Sequence, residues 1–250
     1  LSRGLGDVYK RQYDDLALLR AGLIDTEGYL KLIGQQATRV YTAGGRHKQS
    51  VADSSFDAWV KLYRSDENSV NAMISYYSKG SLVALALDLT LRHRSEGRVS
   101  LDDVMRTLWE RHGRPGIGVP EDGIERIAAE LLGADLTEFF DLAVRGTEDI
   151  PLAEILAPFG IGFNLRPKES AKDKGGKASK KSADALRSKG DLNIRAKSAE
   201  GGSKITAVLD GGGAQDAGLS AGDVVVAVDG LKCGCLLYTS DAADEVVGVD

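Results

Sequence analysis

Metal-assisted hydrolysis most often leans on histidine, and the chain has three, His47, His93 and His112. A hydrolytic zinc site needs two His one helical turn apart, a third ligand and an open position for water. No pair here has His-x-x-x-His spacing, so each histidine reads as an ordinary surface or helix residue. A second candidate is Tyr77 in Tyr76-Tyr77-Ser78-Lys79-Gly80. A phenol donates a hydrogen bond while staying neutral near pH 7, which suits it to hold a developing oxyanion. On spacing alone, however, Tyr77 reads more simply as a core aromatic beside Tyr76. Asp88 and Arg92, four residues apart on the same predicted helix, make a structural ion pair.

The elements that must position these residues are mostly helical as far as Phe159. Thr26 can cap a helix that carries Tyr29, Leu30, Ile33, Ala37 and Val40 at spacings of three and four. The longest apolar segment predicts one helix over 70–94, with Ile74, Leu82, Leu85, Ala86 and Leu89 on it. Ser100-Leu101-Asp102-Asp103 resembles a capping box with Asp in the Glu/Gln position, opening a helix through Val104, Leu108 and Trp109 to Gly113. Pro120 starts another that ends at Gly133, and 135–140 and 151–156 read as short helices.

Beyond Phe159 the pattern changes. Residues 168–189 hold eight Lys or Arg, three Asp or Glu, no aromatic and no β-branched residue. Such a stretch buries too little apolar surface to offset its ordering entropy and is expected to be a mobile insert. The β-branched runs 204–209 and 223–228 predict strands, and Asp229-Gly230 a tight turn. The expected fold class is α+β: a helical unit over 13–158, then a smaller β-rich unit over 159–234.

Two resemblances sharpen this. Ala214-x-x-Ala217-Gly218-Leu219-x-x-Gly222-Asp223, an apolar strand and Asp229-Gly230 together resemble the PDZ domains of bacterial proteases. The alanines let a small helix pack tightly, Gly218 supplies its left-handed cap, and Leu219 anchors the return to the sheet. PDZ domains add an extended peptide as a strand and hold its C-terminal carboxylate on backbone N–H groups. Gly160-Ile161-Gly162-Phe163 resembles that carboxylate loop, with a rival placement over 190–194. The resemblance implies that the groove-forming helix and last strands lie beyond Lys232, so the PDZ-like unit is truncated and its groove incomplete.

In the helical half, the stretches 13–23 (Tyr-Asp-Asp-Leu-Ala-Leu-Leu-Arg-Ala-Gly-Leu), 45–59 (Gly-Arg-His-Lys-Gln-Ser-Val-Ala-Asp-Ser-Ser-Phe-Asp-Ala-Trp) and Ser75-Tyr-Tyr-Ser-Lys-Gly80 resemble the glycyl aminopeptidase family of bacterial zinc metallopeptidases. Ser100-Leu-Asp-Asp-Val-Met105 continues the match. The resemblance implies the helical C-terminal subdomain of a thermolysin-like catalytic domain, zinc as the cofactor of the whole enzyme, and a peptide substrate from which small N-terminal residues such as glycine are released. It also implies a role for Tyr77, whose hydroxyl donates to the oxyanion in the shared Tyr-x-Lys-Gly signature. The family's HExxH helix and third ligand have no counterpart here, so this chain is not expected to assemble the metal site alone. The alternative is a non-enzymatic protein whose PDZ-like and helical units bind peptides.

Composition narrows the partners. The net charge of −5 argues against a nucleic-acid partner, which needs a basic face. No stretch approaches the ~20 apolar residues of a membrane span, and nothing sets the compartment. Finally, 7–12 (Asp-Val-Tyr-Lys-Arg-Gln) and Cys235-Leu-Leu-Tyr-Thr-Ser240 can be encoded by one short DNA element in opposite orientations, as a transposase sequencing adapter would be. Residues 1–12 and 235–250 are therefore expected to be non-native and to pack against nothing. That leaves Cys233 as the native cysteine and no disulfide framework.

Overall fold

A computed structural model describes residues 12–170, 173–179 and 192–232 and the backbone of 245–249. The first helix, α1, runs over 12–20. It is followed by α2 (Thr26–Tyr41), α3 (Val51–Phe56), α4 (Ser69–Ala72), α5 (Tyr76–Arg94), α6 (Leu101–Leu108), α7 (Gly123–Leu132), α8 (Thr137–Phe140) and α9 (Leu152–Leu156). α5 is the axis of the unit and touches α2, α3, α6, α7 and α9. Leu82, Val83, Ala84, Leu85, Ala86 and Leu87 are all buried, so it is apolar nearly all round, as a helix enclosed by others must be.

Local signals explain most boundaries. Asp25, one residue ahead of the expected cap, is extended and its carboxylate accepts from Gly28 N at 2.8 Å. The Ser100/Asp103 capping box forms as expected, with Ser100 N donating to Asp103 Oδ2 at 2.8 Å. Gly133 closes α7 with φ 69°. After α6 the chain widens into a π-helix over Trp109–Gly113 instead of continuing as α-helix to the glycine.

One expectation is corrected in a way that matters for the site. The segment 70–94 is two helices, α4 and α5, separated by Met73, which is extended with ψ 152°. Side chains from α3 and its approach hold the break open: Ile74 N donates to Gln49 Oε1 at 3.2 Å, and Ser54 Oγ donates to the Ile74 carbonyl. Ser75 then caps a fresh helix, its hydroxyl accepting from Ser78 N at 3.3 Å.

The β-rich unit has small antiparallel sheets. Strands β2 (Ile194–Ala199), β3 (Gly202–Val208) and β4 (Val224–Val225) form one, in that order, and β5 (Ala227–Val228) pairs with β6 (Leu231–Lys232). The expected strand over 223–228 is thus split at Val226. Asp229 and Gly230, at φ 50° and 75°, make the two-residue turn between β5 and β6. Ile194, Ile205 and Ala214 form a small core with Val208, Leu219 and Val225 against it. Gly218 has φ 76°, and Leu219 N donates to the Ala214 carbonyl at 2.9 Å, as the small-helix reading required. Asn71 fastens this unit to the helices: its amide donates to the Val208 carbonyl at 2.8 Å and accepts from Asp210 N at 3.1 Å.

Two further expectations concern segments that are described only in part. The mobile insert over 168–189 lies partly outside the described residues, but 173–179 is folded back on the helical unit. The Asp173 carboxylate accepts from Arg166 Nη1 at 2.7 Å, Glu169 N at 3.0 Å and Gly175 N at 2.9 Å, and Gly176 lies against the Lys31 carbonyl of α2. Polar satisfaction around one carboxylate replaces the apolar burial that the composition lacks. At the ends, residues 1–11 and 233–244 lie outside the described residues. Gln12, however, is buried, its Nε2 donating to Tyr29 Oη at 3.4 Å. Strand β7 (Glu245–Val249) pairs antiparallel with β1 (Phe163–Pro167), Phe163 opposite Val249, because β1 otherwise presents an unpaired edge that a valine-rich segment can satisfy. Gln12 and the backbone of 245–249 thus do make contacts with the rest of the chain.

Candidate active site

The break before α5 places Tyr76 and Tyr77 in its first turn. Tyr76 turns inward and is buried, whereas Tyr77 is half-buried. Their ring centroids are 4.2 Å apart, and Tyr77 Oη lies 2.9 Å from Tyr63 Oη. Burial pushes the Tyr76 phenol well above its ordinary pKa, and hydrogen bonds with Tyr77 and Tyr63 push the same way. The Tyr63 and Tyr77 hydroxyls therefore meet at this end of α5, with the buried Tyr76 phenol held neutral beside them.

Lys79 points the other way, into the protein, and is only 1% exposed. Its Nζ donates to the Glu148 carbonyl at 3.1 Å. Burial lowers its pKa below the ordinary lysine value, opposed by Asp149 and Glu148 and assisted by Arg46. Arg46 in turn pairs with Asp149 through Nε at 3.1 Å, donates to the Tyr41 carbonyl and stacks over the Tyr41 ring. Gly45 makes this approach possible, since a Cβ there would lie 2.0 Å from the Met73 carbonyl oxygen. The stretch at 45–59 is thus pressed onto the break that sets the start of α5.

The stretch at 13–23 supports the same scaffold from the far side. Tyr13 Oη donates to Asp102 Oδ1 at 2.5 Å, and Arg20 grips both carboxylate oxygens at 3.1 and 2.8 Å, joining α1 to α6. Burial raises the Asp102 pKa, but the hydrogen bonds from Arg20 and Tyr13 outweigh it and hold the carboxyl below its ordinary value. Asp88 pairs with Arg92 at 2.9 Å as expected and also accepts from Leu101 N at 2.8 Å, fixing where α6 begins.

Other sequence-predicted residues are not brought together. His47 ends a 3-10 turn, His93 meets the Phe159 ring edge-on, and His112 Nδ1 sits 3.1 Å from the Gly118 carbonyl. Among the described residues no three His, Cys, Asp or Glu side chains converge as a metal site. At the candidate carboxylate loop, Gly160 N donates to the Ala157 carbonyl at 3.0 Å and Ile161 N to that of Leu156 at 3.4 Å. Gly160 is left-handed at φ 74°, and Phe163 begins β1 beside the Tyr41 ring. Gly160-Ile161-Gly162-Phe163 thus serves as a helix stop with two of its amides committed. The rival placement lies just before β2, an outer strand of the three-stranded sheet; its residues 190 and 191 lie outside the described residues.

Sequence reasoning missed Tyr63. It stands on a 3-10 turn over Leu62–Arg64 and packs on Trp59 with centroids 5.2 Å apart. Nothing in the spacing of residues 63 and 77 signals that their hydroxyls meet. The one visible hint is aromatic density over Phe56, Trp59 and Tyr63, all largely exposed.

The fold is that of an aminopeptidase-like architecture. The crystal structure of an aminopeptidase N family protein from Idiomarina loihiensis is similar, with a TM-score of 0.83 and 31% identity over 96% of this chain. The chain spans 45% of the length of that protein. Residues 9–83 match the family model of the M61 glycyl aminopeptidases. Both findings support one family, the M61 glycyl aminopeptidases, the one the sequence resembles. No curated protein sequence matched the chain.

Proposed function

We propose that this chain is the helical part of a zinc-dependent aminopeptidase that releases small, glycine-like N-terminal residues from peptides, and that it contributes Tyr77 to catalysis. The observation that carries the proposal is the break at Met73–Ser75. It sets Tyr77 on the first turn of α5 with its hydroxyl at the surface, while Lys79 anchors the same turn from below. A hydroxyl so placed can donate to the oxyanion that forms when water attacks a peptide carbonyl. Zinc, bound by residues outside those described here, would activate that water.

The test is Tyr77→Phe in the full-length enzyme, with glycine p-nitroanilide as substrate. Loss of one oxyanion donor lowers kcat by about 10²–10³. Because that bond strengthens mainly in the transition state, KM changes little. The melting temperature holds, because the ring packing is retained. A kcat within about threefold of wild type ends the assignment.

A further inference from the structure

Tyr63 is a second hydroxyl at the same point, and nothing in its own packing demands one there. It is 54% exposed, and its ring rests on Trp59, itself 79% exposed. Its turn is fixed by the backbone, with Tyr63 N donating to the Ala58 carbonyl at 3.0 Å and Ala58 buried. The phenol is therefore held over α5 while its hydroxyl lies 2.9 Å from that of Tyr77.

We infer that Tyr63 is a positioning residue for Tyr77: its hydroxyl donates to the Tyr77 oxygen and leaves the Tyr77 proton directed at the substrate. The inference rests on the reading of Tyr77 given above. The hydrogen bond can run in either sense, but only one is productive. If Tyr77 donated to Tyr63, its proton would be occupied and would have to turn before meeting an oxyanion. With Tyr63 donating, Tyr77 is oriented, and its O–H is polarised because hydrogen bonds in a chain strengthen one another. No proton changes owner.

The experiment compares Tyr63→Phe, Tyr77→Phe and the double variant in the zinc-loaded full-length enzyme on glycine p-nitroanilide. Tyr63→Phe is expected to lower kcat about threefold to tenfold, the size of one neutral hydrogen bond. KM and melting temperature should stay at wild-type values, which a merely structural role for Tyr63 would not produce. The double variant should be no slower than Tyr77→Phe alone, since Tyr63 acts through that hydroxyl. The inference is overturned if Tyr63→Phe matches or exceeds wild-type kcat, or if its loss multiplies with that of Tyr77→Phe. If instead Tyr77→Phe itself keeps wild-type kcat, the reading of Tyr77 fails, and the inference with it.

Discussion

Asp173→Asn is the sharpest probe of how a charged, aromatic-free segment is folded. Asp173 and its partner Arg166 are each 13% exposed, and the pair is bidentate at 2.7 and 3.3 Å. Removing one member of a buried pair commonly costs about 3–5 kcal/mol. Asparagine keeps a carbonyl for one of the two backbone donors, Glu169 N or Gly175 N. Arg166 keeps its bonds to the carbonyls of Lys177 and Pro167 at 3.0 and 3.1 Å. We therefore expect roughly half that cost, ~2 kcal/mol, or about a thirtyfold rise in local opening. Limited trypsin digestion reads it: the variant should be cut at Lys174 and Lys177 about thirtyfold faster, with the helical unit left intact. The pH dependence has a definite sign. Burial raises the Asp173 pKa, but Arg166 and the two backbone amides outweigh it and hold it below the ordinary 3.8. Its stabilisation is then fully present above pH 3.8 and is lost as pH falls through the depressed value. Hydrogen exchange at the Glu169 and Gly175 amides should follow that order. Equal cleavage of wild type and variant at both lysines would refute the reasoning.

Two further outcomes concern the scaffold of the site. Gly45→Ala forces a Cβ to within 2.0 Å of the Met73 carbonyl oxygen, a backbone atom that cannot swing away. A loss of ~3 kcal/mol is expected, lowering the melting temperature by about 6–12 °C; a fall of under about 2 °C would show that the break before α5 is not held by this approach. Lys79→Met keeps an unbranched stem and removes a buried ammonium, so at neutral pH it should leave stability unchanged or raise it by ~1 kcal/mol, seen by denaturant melts. Because burial depresses the Lys79 pKa, the penalty is full below the folded value and disappears as pH rises to the ordinary 10.5. Any advantage of Met should shrink over that window, and a variant clearly less stable at neutral pH would mean that the Glu148 carbonyl depends on the lysine.

Much of the scaffold could be read from residue order. The periodicity of α2 and α7, the capping box at Ser100, the small helix ending at Gly218 and the Asp229-Gly230 turn all follow from local rules of side-chain spacing and backbone freedom. So did the Tyr-x-Lys-Gly signature, because its residues are adjacent. Local rules failed where distant groups supplied the deciding bonds. An uninterrupted apolar pattern predicts one helix over 70–94, yet Gln49 and Ser54 satisfy the Ile74 backbone and so make a break affordable. The charged stretch at 173–179 folds because one carboxylate meets Arg166 and two amides, a convergence that composition does not encode. Tyr63 reaches Tyr77 because the turn after α3 folds back over the start of α5. Sequence alone determined which residue types were available and how they repeat along each element. Only the tertiary structure decided which hydroxyls and carbonyls meet, because a hydrogen bond depends on separation in space to within a few tenths of an ångström and hardly at all on separation along the chain.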